Sequence, residues 1–286
     1  MELALGTAQF GLRYGIAGRG EVVPEAEVRT ILGRAAALGI RLLDTASAYG
    51  DIEGRLPDLG CGGAWRVVTK LPALPKDLDP SESEGWATRS LDAARERLGG
   101  LLHGVLFHRA EDLLEPPADR LWHAAAAWAE QSGCKLGVSC YDPDTLHRVA
   151  RRYPLRLAQL PGNALDQRLR ASRSFPGDIE IHVRSAFLQG LLLMPEKDAV
   201  MRIPAAAGSL GRWHTWRAEH GLEPLTAALG IVKGLPGVSH CIVGVDHAEQ
   251  LDQIATAWES TPALSADMLA VLDPRVIDPR RWPQSH

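Results

Sequence analysis

Residues 41–51 read RLLDTASAYGD: a short apolar run, an aspartate where it stops, then small turn-forming residues up to Tyr49 and Gly50. The pattern returns at 65–70, WRVVTK, ending on Lys70, and at 103–108, HGVLFH, ending on His108. Short apolar runs closed by polar residues and separated by amphipathic stretches read as strands joined by helices. Working outward, strand candidates fall at 2–6, 40–43, 65–70, 103–107, 134–138, 156–160, 179–183 and 240–243. Helical periodicity occupies 24–38, 82–98, 116–132, 142–151 and 222–235, and a further helix is expected to begin near Ala248. Eight alternating strands predict an α/β fold, a single (β/α)8 TIM barrel, in which residues at the C-terminal strand ends face the reaction chamber. A chain of 286 residues with 45% hydrophobic content exceeds the ~250 that such a barrel usually needs. No repeat, low-complexity tract or linker divides it, so one barrel domain over 1–286 is expected.

Several classes are disfavoured at once. A net charge of −4 with no long Lys/Arg block gives no footprint for nucleic acid. The start, MELALGTAQFG, lacks a basic leader before an apolar core, and runs such as AFLQGLLLM (186–194) are too short to span a bilayer. A cytoplasmic protein without membrane contact is expected. Cys61, Cys134, Cys140 and Cys241 lack CxxC spacing and read as free thiols. The histidines do not cluster with carboxylates as ligands, which counts against a metal-dependent barrel hydrolase and predicts no metal. The stretch PEKDAVMRIPAAAGSLGRW (195–213) holds two prolines and two glycines and is expected to be a long loop, a candidate lid. The proline-rich tail from 273 either lies loosely or folds over the barrel mouth.

Each of the four polar residues has a bland alternative when taken alone: Asp44 a cap or turn former, Tyr49 a loop residue, Lys70 a solvated strand end, His108 a structural histidine. Together they carry a coherent chemistry. Reducing a carbonyl by hydride leaves an alkoxide that needs a proton, and a phenol of reference pKa about 10 gives or takes one reluctantly near neutrality. A lysine ammonium beside Tyr49 is expected to lower its pKa, with Asp44 holding Lys70 charged and aimed. A neutral imidazole N–H from His108 would orient and polarise the carbonyl oxygen.

The segments LGTAQFG (5–11), LLDTASAYGD, the strand-end lysine and HGVLFH resemble the aldo-keto reductases. Their Asp, Tyr, Lys and His tetrad then falls on Asp44, Tyr49, Lys70 and His108. KLGVSCYDPDTL (135–146), LAQLPGNALDQR (157–168) and IHVRSAFLQGLLL (181–193) extend the likeness over nearly the whole chain. The resemblance implies a nicotinamide cofactor bound in extended form, NADP(H) with NAD(H) as the alternative, and reduction of a small aldehyde or ketone, sugars included. It implies Ser139 and Gln159 at the carboxamide, and Arg184, Ser185, Phe187, Gln189 and Gly190 beside the pyrophosphate. Cys140 departs from the asparagine of many relatives and weakens the carboxamide clamp.

At the adenosine end, CIVGVDHAEQLDQI (241–254) offers Gly244, Asp246 and Gln250 rather than the basic or serine pair usual in the family. Asp246 has two readings. Its carboxylate can accept from a free ribose hydroxyl while repelling a 2′-phosphate, or it can cap the following helix. Phe10, Tyr14, Arg109, Trp213 and Trp282 are candidates to line the mouth. An alternative function from another class is a cofactor-binding, redox-sensing or regulatory barrel with little turnover.

Overall fold

The computed structural model describes residues 1–16, 20–172, 175 and 177–283. Eight parallel strands close into a barrel in chain order. They are β1 (Glu2–Gly6), β2 (Leu42–Asp44), β3 (Arg66–Leu71), β4 (Leu102–Phe107), β5 (Lys135–Ser139), β6 (Leu157–Pro161), β7 (Glu180–Arg184) and β8 (Val238–Val243). Helices Glu25–Ala37, Ser83–Leu98, Ala118–Ser132, Pro143–Ala150, Pro224–Lys233 and Ala248–Ser260 lie within a few residues of the stretches that periodicity marks. The protein is a (β/α)8 barrel.

Alternation along the strands sorts side chains into two environments. Leu43, Val67, Val105, Val138, Ala158, Val183 and Cys241 face outward into the large core beneath the helices. Ala4, Leu42, Val68, Leu106, Leu157 and Ile242, one from each of six strands, form a separate cluster inside the barrel. Each residue two positions further along such a strand points the same way. Asp44, Lys70, His108, Gln159 and Gly244 are therefore the next interior layer, at the C-terminal face. Ser139 and Arg184 share that parity, since Val138 and Val183 face outward. The strands pack closely enough that a Cβ at Gly137 would lie 1.7 Å from the Leu157 carbonyl oxygen, so β5 and β6 require glycine there.

The opposite end of the barrel is polar. Contrary to the expectation that histidines do not cluster with carboxylates, Glu180, His182 and His240 bring potential ligand atoms within 4.8 Å of one another, as do Glu27, His247 and Glu249 elsewhere. Glu180 is paired to Lys135 and accepts from His182 at 2.8 Å. Burial lowers the His182 pKa, so this buried ring is held neutral.

One expectation fails at the C-terminal third, and of the two readings of the tail the one that folds it over the mouth holds. Residues 195–213 are not a long lid loop: Glu196–Arg202 and Ala207–Glu219 are helices joined by a turn at Pro204–Ala206. Pro204 breaks one helix from the next, and burial of Leu210, Trp213 and Trp216 in a second apolar cluster holds the later one despite Gly208 and Gly211. The tail is anchored rather than loose. Val276, Ile277 and Trp282 enter that same cluster, which leaves Arg280 against Tyr141 at the mouth. All four cysteines are free. Among the described residues no helix is long and apolar enough to cross a membrane.

Candidate active site

Asp44, Lys70 and Gln159 form a buried group at the floor of the chamber. The Lys70 ammonium donates to Asp44 Oδ1 at 2.6 Å and to the Thr45 carbonyl at 2.9 Å. Lys70 is only 2% exposed. Burial lowers its pKa, and the Asp44 carboxylate opposes that by favouring the charged form. Gln159 donates its amide to the same Asp44 oxygen at 2.7 Å, which leaves its own Oε1 buried without a partner. A buried carbonyl oxygen in this condition is poised for an incoming N–H.

Tyr49 hangs over this group from the loop after β2. The loop is held by its contacts: Ser47 donates to the Lys70 carbonyl, the Tyr49 amide donates to Ala46, and Thr69 and Arg97 both bind the buried Glu53 just beyond it. A Cβ at Gly11 would fall 1.9 Å from the Tyr49 carbonyl oxygen, so the loop after β1 packs backbone to backbone on the tyrosine loop. The Lys70 nitrogen lies 5.4 Å from the centroid of the Tyr49 ring.

The expected lowering of the tyrosine pKa is not found. Burial pushes the Tyr49 phenol up, and the Asp44 carboxylate adds to the rise. Burial is the larger cause, and the Lys70 ammonium, paired with Asp44, does not outweigh it while the phenol is protonated. The His108 ring is held neutral near pH 7. Burial first, then the nearby Lys70 charge, lowers its pKa to about 4.

From Asp44 and Tyr49 a single cavity runs past residues 184–190 to Gly244, Asp246 and Gln250 on the far side of the rim. Its middle has an unusual backbone. Ser185, Leu188 and Gln189 sit at φ of 63°, 49° and 54°, followed by Gly190 at 87°. Left-handed residues other than glycine cost on the order of 1–3 kcal/mol each and concentrate at ligand sites. Such turns gather backbone N–H groups into an anion-binding concavity. Asn163 ties this segment down, donating to the Ser185 carbonyl at 3.2 Å while its Oδ1 accepts from Leu165 and Asp166.

At the adenosine end Asp246 does not cap the next helix. The flanking residue is His247, whose side chain makes no capping bond, and the Ala248 amide donates to Glu27 at 2.8 Å. Gln250 folds back to accept from the Asp246 amide at 2.7 Å. Asp246 is left half-buried with its residue lining the cavity.

Ser139 ends β5 as a buried interior residue beside Gln159 in register. The Cys140 thiol instead joins the outer core, where burial raises its pKa. The proposed mouth residues divide. Tyr14 lines the cavity, but Phe10 belongs to the outer core, and Trp213 is fully buried with its indole donating to the Leu192 carbonyl. Trp282 is likewise a packing residue. Arg109 pairs with Asp112 and does not line the cavity. Gln9 and Gln253 do line it and went unmarked in the sequence, because a lone glutamine beside a helix start carries no periodic or motif signal. Tyr141 also went unmarked; the guanidinium groups of Arg184 and Arg280 both pack on its ring, 4.4 Å and 3.3 Å from its centroid.

The residues fit a nicotinamide dinucleotide along this cleft. Asp44 and Tyr49 line one end, residues 185–190 offer a concave turn midway and a carboxylate stands at the far end, while Gln159, whose Oε1 lacks a partner, is buried behind Asp44 and does not itself line the cavity. The sequence profile of the Aldo/keto reductase family matches residues 2–274. No curated protein sequence resembles the chain closely enough to count as a match. Among solved structures it is similar to the holo form of an aldo-keto reductase from Bacillus halodurans, with 19% identity over 96% of this chain and 95% of that one and a TM-score of 0.72. It is also similar to a glycerol dehydrogenase from Gluconobacter oxydans, with 19% identity over 92% and 87% of the two chains and a TM-score of 0.67. At these identities the structural likeness speaks for the fold alone.

Proposed function

The chain belongs to the aldo/keto reductase family, and from that premise we propose that it reduces an aldehyde or ketone with a nicotinamide dinucleotide, Tyr49 acting as the general acid. The observation that carries this reading is the buried Lys70–Asp44–Gln159 group beneath a tyrosine whose proton is firmly held. A reduced nicotinamide bound in the cleft would supply the hydride. His108, neutral near pH 7, donates its N–H to the carbonyl oxygen and polarises it. Tyr49 then gives its proton to the oxygen as negative charge develops there, and Lys70 stabilises the phenolate that remains. Asp44 keeps Lys70 charged and aimed. Ser139 and Gln159 hold the carboxamide, and Phe187, Gln189, Gly190 and their neighbours pass the pyrophosphate along the rim.

The pKa shifts fix the expected pH dependence. Reduction needs a protonated Tyr49, available well above neutrality because its pKa is raised, and a neutral His108, available above about pH 4. Carbonyl reduction should therefore be flat from about pH 5 to 8, whereas alcohol oxidation needs the phenolate and should climb about tenfold per pH unit there. Steady-state rates in both directions across pH, with a carbonyl panel and both reduced cofactors, test this. A reduction rate that falls as pH rises through 6.5 would make the protonated imidazole the active form and remove His108 from its role as neutral donor.

Coenzyme choice rests on Asp246. Among the described residues lining the cavity, the carboxylates are Asp44 and Asp246 and the one Arg or Lys is Arg184. A carboxylate accepts from a free ribose hydroxyl and repels a 2′-phosphate. Asp246→Arg is expected to shift the ratio of affinities toward NADPH over NADH by about 10-fold or more, since it replaces a like charge by a phosphate partner. Fluorescence titration of both reduced cofactors into parent and variant reads the ratio. Equal ratios would make Asp246 an ordinary rim residue.

A further inference from the structure

Arg184 ends β7 and shares inward parity with His182, between the outward-facing Ile181 and Val183. Parity sends its side chain into the layer that holds Asp44, Lys70 and His108, and the residue lines the same cavity as Asp44 and Tyr49. Its polar contacts are weak: the Cys140 carbonyl at 3.3 Å and Ser185 Oγ at 3.4 Å. Its guanidinium stacks on Tyr141. A guanidinium carries five N–H donors in a fork suited to carboxylate or phosphate, and stacking on a ring uses none of them.

Three other arginines near this mouth are matched. Arg109 pairs with Asp112, Arg168 with Asp166, and Arg280 with Asp278. Lys70 is matched by Asp44. Among the described residues Arg184 has no carboxylate partner within salt-bridge distance, and its charge acts on Tyr49, Lys70 and His108 together. Its inward parity at the C-terminal end of β7 places it in the strand-end layer of Asp44 and Lys70, at the reaction end of the cavity. An uncompensated cation beside a low-dielectric floor attracts anions and costs stability until one arrives.

We propose that Arg184 receives an anionic group on the substrate, so that the protein prefers carbonyl compounds carrying a carboxylate or phosphate close to the reacting carbon. This rests on the carbonyl-reducing reading above and names the substrate class for the same site. It differs from the pyrophosphate role that the family resemblance implies for Arg184. In the turn at 185–190 the Leu188 and Gly190 amides are bonded within the turn, which leaves those of Ala186, Phe187 and Gln189 to serve that rim without it.

Matched substrates test the proposal: succinic semialdehyde against butanal, and glyceraldehyde 3-phosphate against glyceraldehyde. In the parent protein the charged member of at least one pair should have the higher kcat/KM by about 10–100-fold, the range expected for a charge-assisted contact, chiefly through KM. The pair that shows it distinguishes carboxylate from phosphate recognition. Arg184→Met should collapse the ratio toward unity and Arg184→Lys should restore part of it, with NADH and NADPH dissociation constants within about twofold of the parent. A parent ratio near unity in both pairs overturns the proposal. So does an Arg184→Met variant that keeps the ratio, or one that weakens cofactor binding and both pair members alike, which would assign Arg184 to the pyrophosphate. Oxamate and inorganic phosphate, titrated into the cofactor complex, provide a binding arm that needs no turnover. If no carbonyl is reduced, the catalytic reading fails, yet anion binding lost in Arg184→Met would still support the anion site, and its absence in the parent would overturn it.

Discussion

Replacing Tyr49 by phenylalanine is expected to lower carbonyl reduction by about 10²–10⁴-fold, the usual contribution of a positioned general acid. The ring stays and only the hydroxyl goes, so the loop between Ala46 and Glu53 keeps its anchors and the cavity keeps its shape. Cofactor affinity should remain within about twofold, because the phenol acts on oxygen charge that develops only in the transition state. Equilibrium titration and kcat on the same preparation check the two halves together. Near-parental turnover would move the proton donor elsewhere in the chamber. A loss of cofactor binding equal to the loss of rate would make Tyr49 a binding residue.

Lys70→Met is expected to strike stability and rate together. Removing one member of a buried ion pair leaves the other charge uncompensated, at a cost of about 3–5 kcal/mol. Here the stranded group is Asp44, with Gln159 its remaining side-chain donor among the described residues. Chemical denaturation should show that loss, and kcat should fall because no ammonium stabilises the phenolate left after proton transfer. The double variant Lys70→Met with Asp44→Asn separates the effects: it removes both charges and should regain much of the stability while staying inactive. Recovery of activity in the double variant would show that Lys70 serves the fold and not the proton transfer.

The fold was legible because a parallel barrel writes itself as buried runs, and those runs end where polar residues begin. Asp44, Lys70, His108, Ser139 and Gln159 could each be found at a strand end, and the alternation that sends Leu42, Val68 and Leu106 inward carries the first three of them to the chamber. The helices at 196–202 and 207–219 were not legible. Pro204, Gly208 and Gly211 read locally as a loop, and the burial of Trp213 and Trp216 that overrides them is tertiary. Phe10 and Trp213 were misplaced for a related reason, since an aromatic residue in a loop segment looks the same whether it faces a ligand or a core. The state of Tyr49 was hidden as well. A motif brings an ammonium near a phenol, but whether its charge is free depends on how closely Asp44 approaches, and that distance is set by packing. Arg184 stood in plain view at the end of β7, and following the alternation one residue past Val183 would have turned it inward.

The central claim is that this chain transfers hydride from a reduced nicotinamide to a carbonyl carbon, with Tyr49 completing the alcohol. The most direct measurement uses reduced cofactor deuterated on the transferring position of C4, incubated with the protein and the carbonyl it consumes fastest, followed by mass analysis of the product. The account predicts an alcohol carrying one deuterium on the carbinol carbon, formed by the parent at a rate that Tyr49→Phe cuts by orders of magnitude. Cofactor that binds tightly while no carbonyl in the panel acquires deuterium would contradict it, and would make the barrel a cofactor-binding module instead of a reductase.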